Sequence, residues 1–192
     1  MNEVDATISV SAPRGQAAHD QSLSSQLLSL VATVPMIRPE QPADAGAIET
    51  LLDAAFGPGR FAKVSERVRE RAEPAPALSR VAIQNGELIG CCRLFHIVIG
   101  EAPALFLGPL AVAPQAQAGG LGQALVSAVL AAAGPSLPIL LVGQPKFFAR
   151  FGFTQVPDSA VIMPGPTEAR RLQWLHAPEG LTGAVSAPRA AS

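Results

Sequence analysis

The sequence predicts a mixed α+β domain, and three observations carry that class. Two apolar, β-branched runs, 78–84 and 87–99, flank Asn85-Gly86, a dipeptide suited to both central positions of a tight hairpin turn, so the runs are predicted to pair antiparallel. Behind Pro42-Ala43-Asp44, the residues Ile48, Leu51, Leu52, Ala55 and Phe56 recur at helical spacing. Further on, an apolar strand feeds a glycine-rich turn that opens an Ala- and Leu-rich helix over 121–133. Two helices, a meander, then strand, helix and strand describe helices laid on one mixed sheet.

The elements follow in order. Residues 34–38 read as a first strand, and the helix after it stops at Gly57-Pro58-Gly59. A second helix is predicted over 60–72, with Phe61, Val64 and Val68 on one side and Pro74 and Pro76 ending it. Its other side carries Arg60, Lys63, Arg67 and Arg71. Glu66, Glu70 and Glu73 interleave with them, which favours a solvated charged face over a patch for an acidic acceptor. After the hairpin, 100–103 form a turn and 104–112 return as a strand. Gly134-Pro135 ends the glycine-turn helix, and 138–142 read as a strand. A short helix over 145–151 stops at Gly152, leaving 153–156 and 160–163 as closing strands.

The ends differ in composition. Residues 1–34 are rich in Ser, Ala, Gln and Asp and read as a poorly ordered arm; Glu3 and Asp5 sit where a secretory signal wants positive charge. The regular pattern begins at Met36, a possible natural start of translation that intact mass would settle. The domain is expected over 35–180, with 181–192 as a loose tail.

Composition excludes several function classes. The formal net charge of the 192 residues is −1, so no bulk basic field draws nucleic acid or an anionic membrane surface. Gly, Pro, Ser, Gln or Arg interrupts every apolar run before the ~18 residues that a membrane span needs. Cys91 and Cys92 are adjacent and poorly placed to bond to each other, and His19, His96 and His176 lie far apart. No metal is expected, and the reading is a protein of the reducing cytoplasm.

The chemistry concentrates in the glycine turn. A helix start offers unpaired N–H groups and a positive dipole end, which together favour an anion, and Gly119, Gly120 and Gly122 let backbone approach it closely. The turn lacks the Gly-Lys-Ser/Thr of a nucleoside triphosphatase and the later glycine of a dinucleotide fingerprint. Upstream, Gly108-Pro109 interrupts an apolar strand, and a proline there cannot donate a ladder hydrogen bond, so the strand is predicted to bulge or part from a neighbour.

Gln117-x-x-Gly120-x-Gly122 between strand and helix resembles the Arg/Gln-x-x-Gly-x-Gly/Ala motif of the GCN5-related N-acetyltransferases. Phe147-Phe148-Ala149-Arg150-Phe151-Gly152-Phe153 resembles the aromatic helix and Gly-Phe ending of that family, and the element order over about two-thirds of the chain agrees. The resemblance implies the acyl-CoA N-acyltransferase fold, a mostly antiparallel twisted sheet with a splayed parallel pair, flanked by helices. It implies acetyl-coenzyme A as acyl donor, its pyrophosphate in the turn and its pantetheine arm on the backbone of the parted strand. The residues implied are Leu110, Ala111, Val112, Gln117, Ala118, Gly119, Gly120, Leu121, Gly122, Gln123 and Ala124. The implied activity is transfer of an acetyl group to a primary amine of an unidentified acceptor by direct attack; the alternative is a coenzyme A-binding module with little or no transfer. Neither nucleic acid nor membrane is an expected partner, and a homodimer stays open.

Catalytic groups are sparser. The family commonly places a tyrosine acid four residues before the Gly of Gly-Phe; here that position is Phe148, and the chain has no tyrosine. No carboxylate occurs over 105–112 to serve as a base from the sheet centre. His96 is the candidate base, since an imidazole's ordinary pKa near 6.5 suits the task; a histidine satisfied by the sheet is the other reading. Phe147 and Phe148 read equally as core or as packing for a pantetheine arm. Trp174 and His176 either cover the slot or pack on the body.

Overall fold

The computed structural model describes residues 34–62 and 64–188. The expectations for residues 1–33, for Lys63 and for 189–192 lie outside the described residues.

Strand β1 (Met36–Pro39) leads into a turn of 3-10 helix at Pro42–Asp44 and then helix α1 (Ala45–Phe56). Ile48, Leu51 and Leu52 face the core, as their spacing predicts. The junction is fixed electrostatically. Both Arg38 guanidinium ends donate to the Asp44 carboxylate at 2.7 Å, and the Gln41 N–H donates to it at 2.8 Å. These bonds hold the Asp44 carboxyl below the usual carboxylate range, the Arg38 bond contributing most.

The expected second helix is shorter and broken. Pro58–Ala62 forms 3-10 helix, and α2 covers only Val64–Arg69. Arg60 is drawn into ion pairs with Glu49 and Asp53 of α1, at 2.6 and 3.1 Å, which ties the turn to α1 instead of extending the helix that follows.

The strands are β2 (Glu73–Pro74), β3 (Arg80–Gln84), β4 (Glu87–Ile99), β5 (Ala102–Val112), β6 (Ile139–Val142), β7 (Thr154–Gln155), β8 (Val161–Ile162), β9 (Leu172–Leu175) and β10 (Gly183–Ser186). Helix α3 (Leu121–Ala133) follows β5, and α4 (Pro145–Phe148) follows β6. The main path of the sheet runs β1-β3-β4-β5-β6-β9-β7. Only β5 and β6 pair parallel along it; β1-β3, β3-β4, β4-β5, β6-β9 and β7-β9 are antiparallel. The hairpin at Asn85-Gly86 forms as predicted, both residues taking positive φ. One core face packs α1 and α3 on Leu94, Leu105 and Leu107, and the other gathers Val68, Phe95, Ile97 and Phe106. No helix among the described residues is long and apolar enough to cross a membrane.

Two differences concern the C-terminal third. Residues 172–175, to which the sequence pattern assigned no element, form β9 and insert between β6 and β7, with Gln173 buried and its Nε2 donating to the Gly143 carbonyl at 3.3 Å. The expected loose tail from 181 onward instead contains β10, which pairs antiparallel with β4 (Val185 opposite Ile99) and parallel with β8. Its apolar content is small, but Leu181 and Val185 are buried, and its contact with β4 depends on two glycines. A Cβ on Gly183 would sit 2.5 Å from the Gly100 Cα, and one on Gly100 2.7 Å from the Thr182 carbonyl oxygen. Gly183 also holds φ +136°. Gly183→Ala is therefore expected to detach β10 and cost about 1–3 kcal/mol, read by denaturant unfolding with limited proteolysis of the C-terminus. A truly loose tail would leave both unchanged.

Candidate active site

The site begins with a backbone defect. In the β4–β5 ladder Cys92 faces Leu110 and Leu94 faces Leu107, so Arg93 alone stands opposite the two residues Gly108 and Pro109, whose peptide bond is cis. The predicted bulge is present. The parallel β5–β6 pairing covers Leu105 to Leu107 against Ile139 to Leu141 and ends there. Past Leu107, then, β5 keeps β4 and loses β6. The Ala113 N–H donates to the Ile89 carbonyl at 2.8 Å, which sets the alternation: Ala111 and Ala113 turn their amides toward β4, while Leu110 and Val112 turn theirs to the side that β6 has left. The Gln117 Nε2 donates to the Val112 carbonyl at 3.2 Å, on that open side.

A cavity of about 560 Å³ fills the gap. Gly108, Pro109 and Leu110 form one lip, Leu141 to Gln144 the other, and Phe147 and Phe148 close one wall. Phe56, Arg60, Val64, Ser65 and Arg69 border it from the first helices, and 166–168 with Arg171 from the C-terminal segment. The Phe147 and Phe148 rings meet edge to face at 4.9 Å, and Phe148 meets Phe153 at 5.7 Å.

The glycine turn lies next to this wall. Pro114–Gly119 is 3-10 helix, Gly120 turns left-handed at φ +74°, and α3 starts at Leu121. The N–H groups of Gln123 and Ala124 fold back on the Gly120 carbonyl at 3.0 and 3.1 Å. Gln117, Ala118, Gly119 and Gly120 are exposed, Leu121 is buried, Gly122 is half-buried, and Gln123 and Ala124 are exposed. A Cβ on Gly122 would lie 3.7 Å from Val112 Cγ2 and 3.9 Å from Phe147 Cζ, so the turn, the open edge of β5 and the cavity wall are contiguous. Room for backbone to approach a bulky anion is present at Gly119 and Gly120, where an added Cβ would meet nothing within 4 Å.

Other expected residues fall elsewhere. His96 is half-buried, pairs across β4 with Glu73 and Leu105, and does not line the cavity, so its placement gives no support to its role as base. Trp174 lies on β9 opposite Leu140 and Thr154 and packs on the body. Cys91 and Cys92 are buried free thiols, and desolvation pushes the Cys91 thiol up to about 12, which leaves it no nucleophile.

The pattern of charges put Arg60 on a solvated face and left Arg69 and Arg171 unnamed. Arg67 and Arg71 are exposed, as a solvated face requires, but Arg60 is buried and borders the cavity with Arg69 and Arg171. Arg69 pairs with Glu66 in the next turn back, and burial lowers its pKa although its guanidinium stays charged. Arg69 lay outside the charged stripe that the sequence pattern picked out, and it lines the cavity with Val64 and Ser65 of the same helix.

Comparison with known proteins adds to this geometry. Residues 77–155 match the family model described as an acetyltransferase (GNAT) domain. A GNAT family N-acetyltransferase of Escherichia coli, YhbS, solved in complex with CoA, is 27% identical over 79% of this chain and 88% of that one, with a TM-score of 0.64. A GNAT family acetyltransferase of Brucella melitensis, solved with acetyl-CoA, is 27% identical over 80% of this chain and 95% of that one, with a TM-score of 0.58. No curated protein matches the sequence.

The cavity wall depends on one small residue. A Cβ on Gly143 would fall 2.3 Å from Phe148 Cε2 and 3.1 Å from Leu141 Cδ1. Gly143→Ala is expected to push the Phe148 ring from its place and cost about 1–3 kcal/mol, measured by denaturant unfolding.

Proposed function

We propose, for a chain that belongs to the GCN5-related N-acetyltransferase superfamily, that it moves an acetyl group from acetyl-coenzyme A to a primary amine by direct attack, with no covalent enzyme intermediate. The observation that carries the reading is the parting of β5 from β6, which leaves the Leu110 and Val112 amides on the side β6 has left, with Leu110 lining a cavity beside a glycine turn. These residues fit the donor: an open helix N-terminus with space at Gly119 and Gly120 for a pyrophosphate, and unpaired strand amides for a pantetheine arm. Acetyl-coenzyme A supplies the activated thioester.

The chain's own residues do the rest. The Leu110 N–H is aimed where a thioester carbonyl gathers negative charge. Phe147, Phe148 and Val142 keep water from the reacting atoms. Phe148 has no proton to give, and a thiol of pKa near 8.5 leaves without one, at the loss of the ~10²–10⁴-fold that a general acid contributes. Among the described lining residues Glu168 is the sole carboxylate, and it is exposed. The amine therefore loses its proton to solvent. The same poverty of acid and base favours the second reading, a coenzyme A-binding module with little transfer.

Calorimetric titration with acetyl-coenzyme A, followed by thiol release over an amine panel in the same sample, separates the two: binding with release supports transfer, and binding without it supports the module. Gly120→Val is expected to weaken acetyl-coenzyme A binding by about tenfold or more, because a β-branched residue is strained at φ +74° and crowds the anion's approach. Unchanged affinity in the folded variant removes the phosphate role from this turn.

With no base from the chain, the rate is expected to rise roughly tenfold per pH unit toward the pKa of the bound amine. His96→Ala should leave that profile unchanged; a plateau near neutrality that the substitution abolishes would reinstate the histidine.

A further inference from the structure

Two buried side-chain nitrogens lack a hydrogen-bond partner among the described residues, Arg60 Nε and Arg171 Nε. Both belong to guanidiniums that line the same cavity. Buried donors without an acceptor are rare in folded proteins, and two at one cavity ask for a common cause.

The charges around them differ in what balances them. Arg60 faces Glu49 and Asp53, and Arg69 faces Glu66. Arg171 has no carboxylate within ion-pair reach among the described residues. Glu168 points its charge to the exposed Arg170, 2.8 Å away. The cavity is therefore positive, with Arg171 its uncompensated cation.

Position narrows what that cation can meet. The Arg171 carbonyl accepts from the Gly143 N–H at 2.9 Å, which sets the residue against the end of β6. Arg69 Nη1 lies 3.8 Å from where a Cβ on Gly108 would be, at the bulge of β5. The Arg69 guanidinium thus stands at the β5 lip, and Arg171, a lining residue of the same cavity, is anchored by its backbone to the β6 lip. Gln117 to Leu121 of the glycine turn do not line this cavity, so these cations are separate from the proposed pyrophosphate cradle.

We propose that the acceptor is a small amine bearing its own anionic group, carboxylate or phosphate, and that Arg171, with Arg69 across the gap, receives that group and holds the amine at Leu110. The inference rests on the transferase reading of the same cavity. A guanidinium's planar fork takes either anion through two parallel hydrogen bonds, and the fixed anion orients the amine for attack.

The test uses the full chain and matched amines: L-glutamate, glycine and β-alanine against their carboxamides, and O-phosphoethanolamine against ethanolamine. Acetyl-coenzyme A binding is measured first by calorimetry; its absence overturns the transferase reading and this inference with it. Given binding, the anionic member of at least one pair is expected to show thiol release with kcat/KM about 10- to 100-fold above its neutral partner. Which pair responds tells carboxylate from phosphate. Arg171→Gln should erase the preference through KM while acetyl-coenzyme A affinity and Tm hold, and Arg171→Lys should restore part of it. Equal or reversed preference, turnover of the neutral amines alone, or a preference that survives Arg171→Gln would overturn the inference with the transferase reading intact, whereas binding with no turnover of any amine overturns both.

Discussion

One missing backbone donor organises the molecule. Pro109 sits in the middle of a central strand and offers no N–H to a neighbour, whereas the strand's other proline, Pro103, lies at its start, before the pairing with β6 begins. Up to Leu107 the strand β5 is bonded on both sides, to β4 and to β6. At the proline the ladder stops, the surplus residue is absorbed opposite Arg93, and only β4 is regained. The bulge is held from outside. Arg93 bonds Glu40 through two nitrogens at 2.7 and 2.8 Å and lies over the Phe95 ring at 5.1 Å, so the one residue facing the defect is fixed in place. Because β5 leaves β6 there, a cavity opens between them, and the glycine turn that ends β5 comes to lie beside its aromatic wall.

The second constraint is electrostatic and follows from the first. A gap that admits a ligand also brings side chains from α2 and the C-terminal segment toward a low-dielectric interior, and a cation there is costly unless paired. Arg60 and Arg69 satisfy that with Glu49, Asp53 and Glu66. Those carboxylates lie behind the guanidiniums, on the helices and not among the lining residues, so the cavity meets the positive ends of the pairs.

Where local physics decided the structure, the sequence was sufficient. Asn85-Gly86, the helical spacing of Ile48 to Leu52, the boundaries of α3 and the interruption at Gly108-Pro109 each act through a few neighbouring residues. The resemblance carried by Gln117, Gly120 and Gly122 placed the turn correctly beside the parted strand. What escaped was set at a distance. β9 and β10 are short, with only part of each buried, and become strands because β6 and β4 present open edges to them. Arg60 turned inward because Glu49 and Asp53 wait on α1, and Arg171 reached the cavity because its backbone is bonded to Gly143. His96 had the right chemistry for a base, but it registers opposite Leu105 and is not among the residues that line the cavity.

Under the proposed transfer, a site with neither tyrosine nor a lining histidine acts through placement and field. Direct attack needs the amine neutral, and three guanidiniums around one cavity disfavour an ammonium there, as any cluster of like charge does. Each pKa unit by which the field lowers the amine raises its neutral fraction about tenfold near neutrality, which does part of a base's work without a proton acceptor. The requirement that follows is a balance. An acceptor's own anion draws the amine in by cancelling part of the field, and the guanidiniums left uncancelled keep the proton off. Arg60 and Arg69, already matched to carboxylates, contribute only a muted field of that kind, so Arg171 governs how the acceptor binds while solvent takes most of the amine's proton.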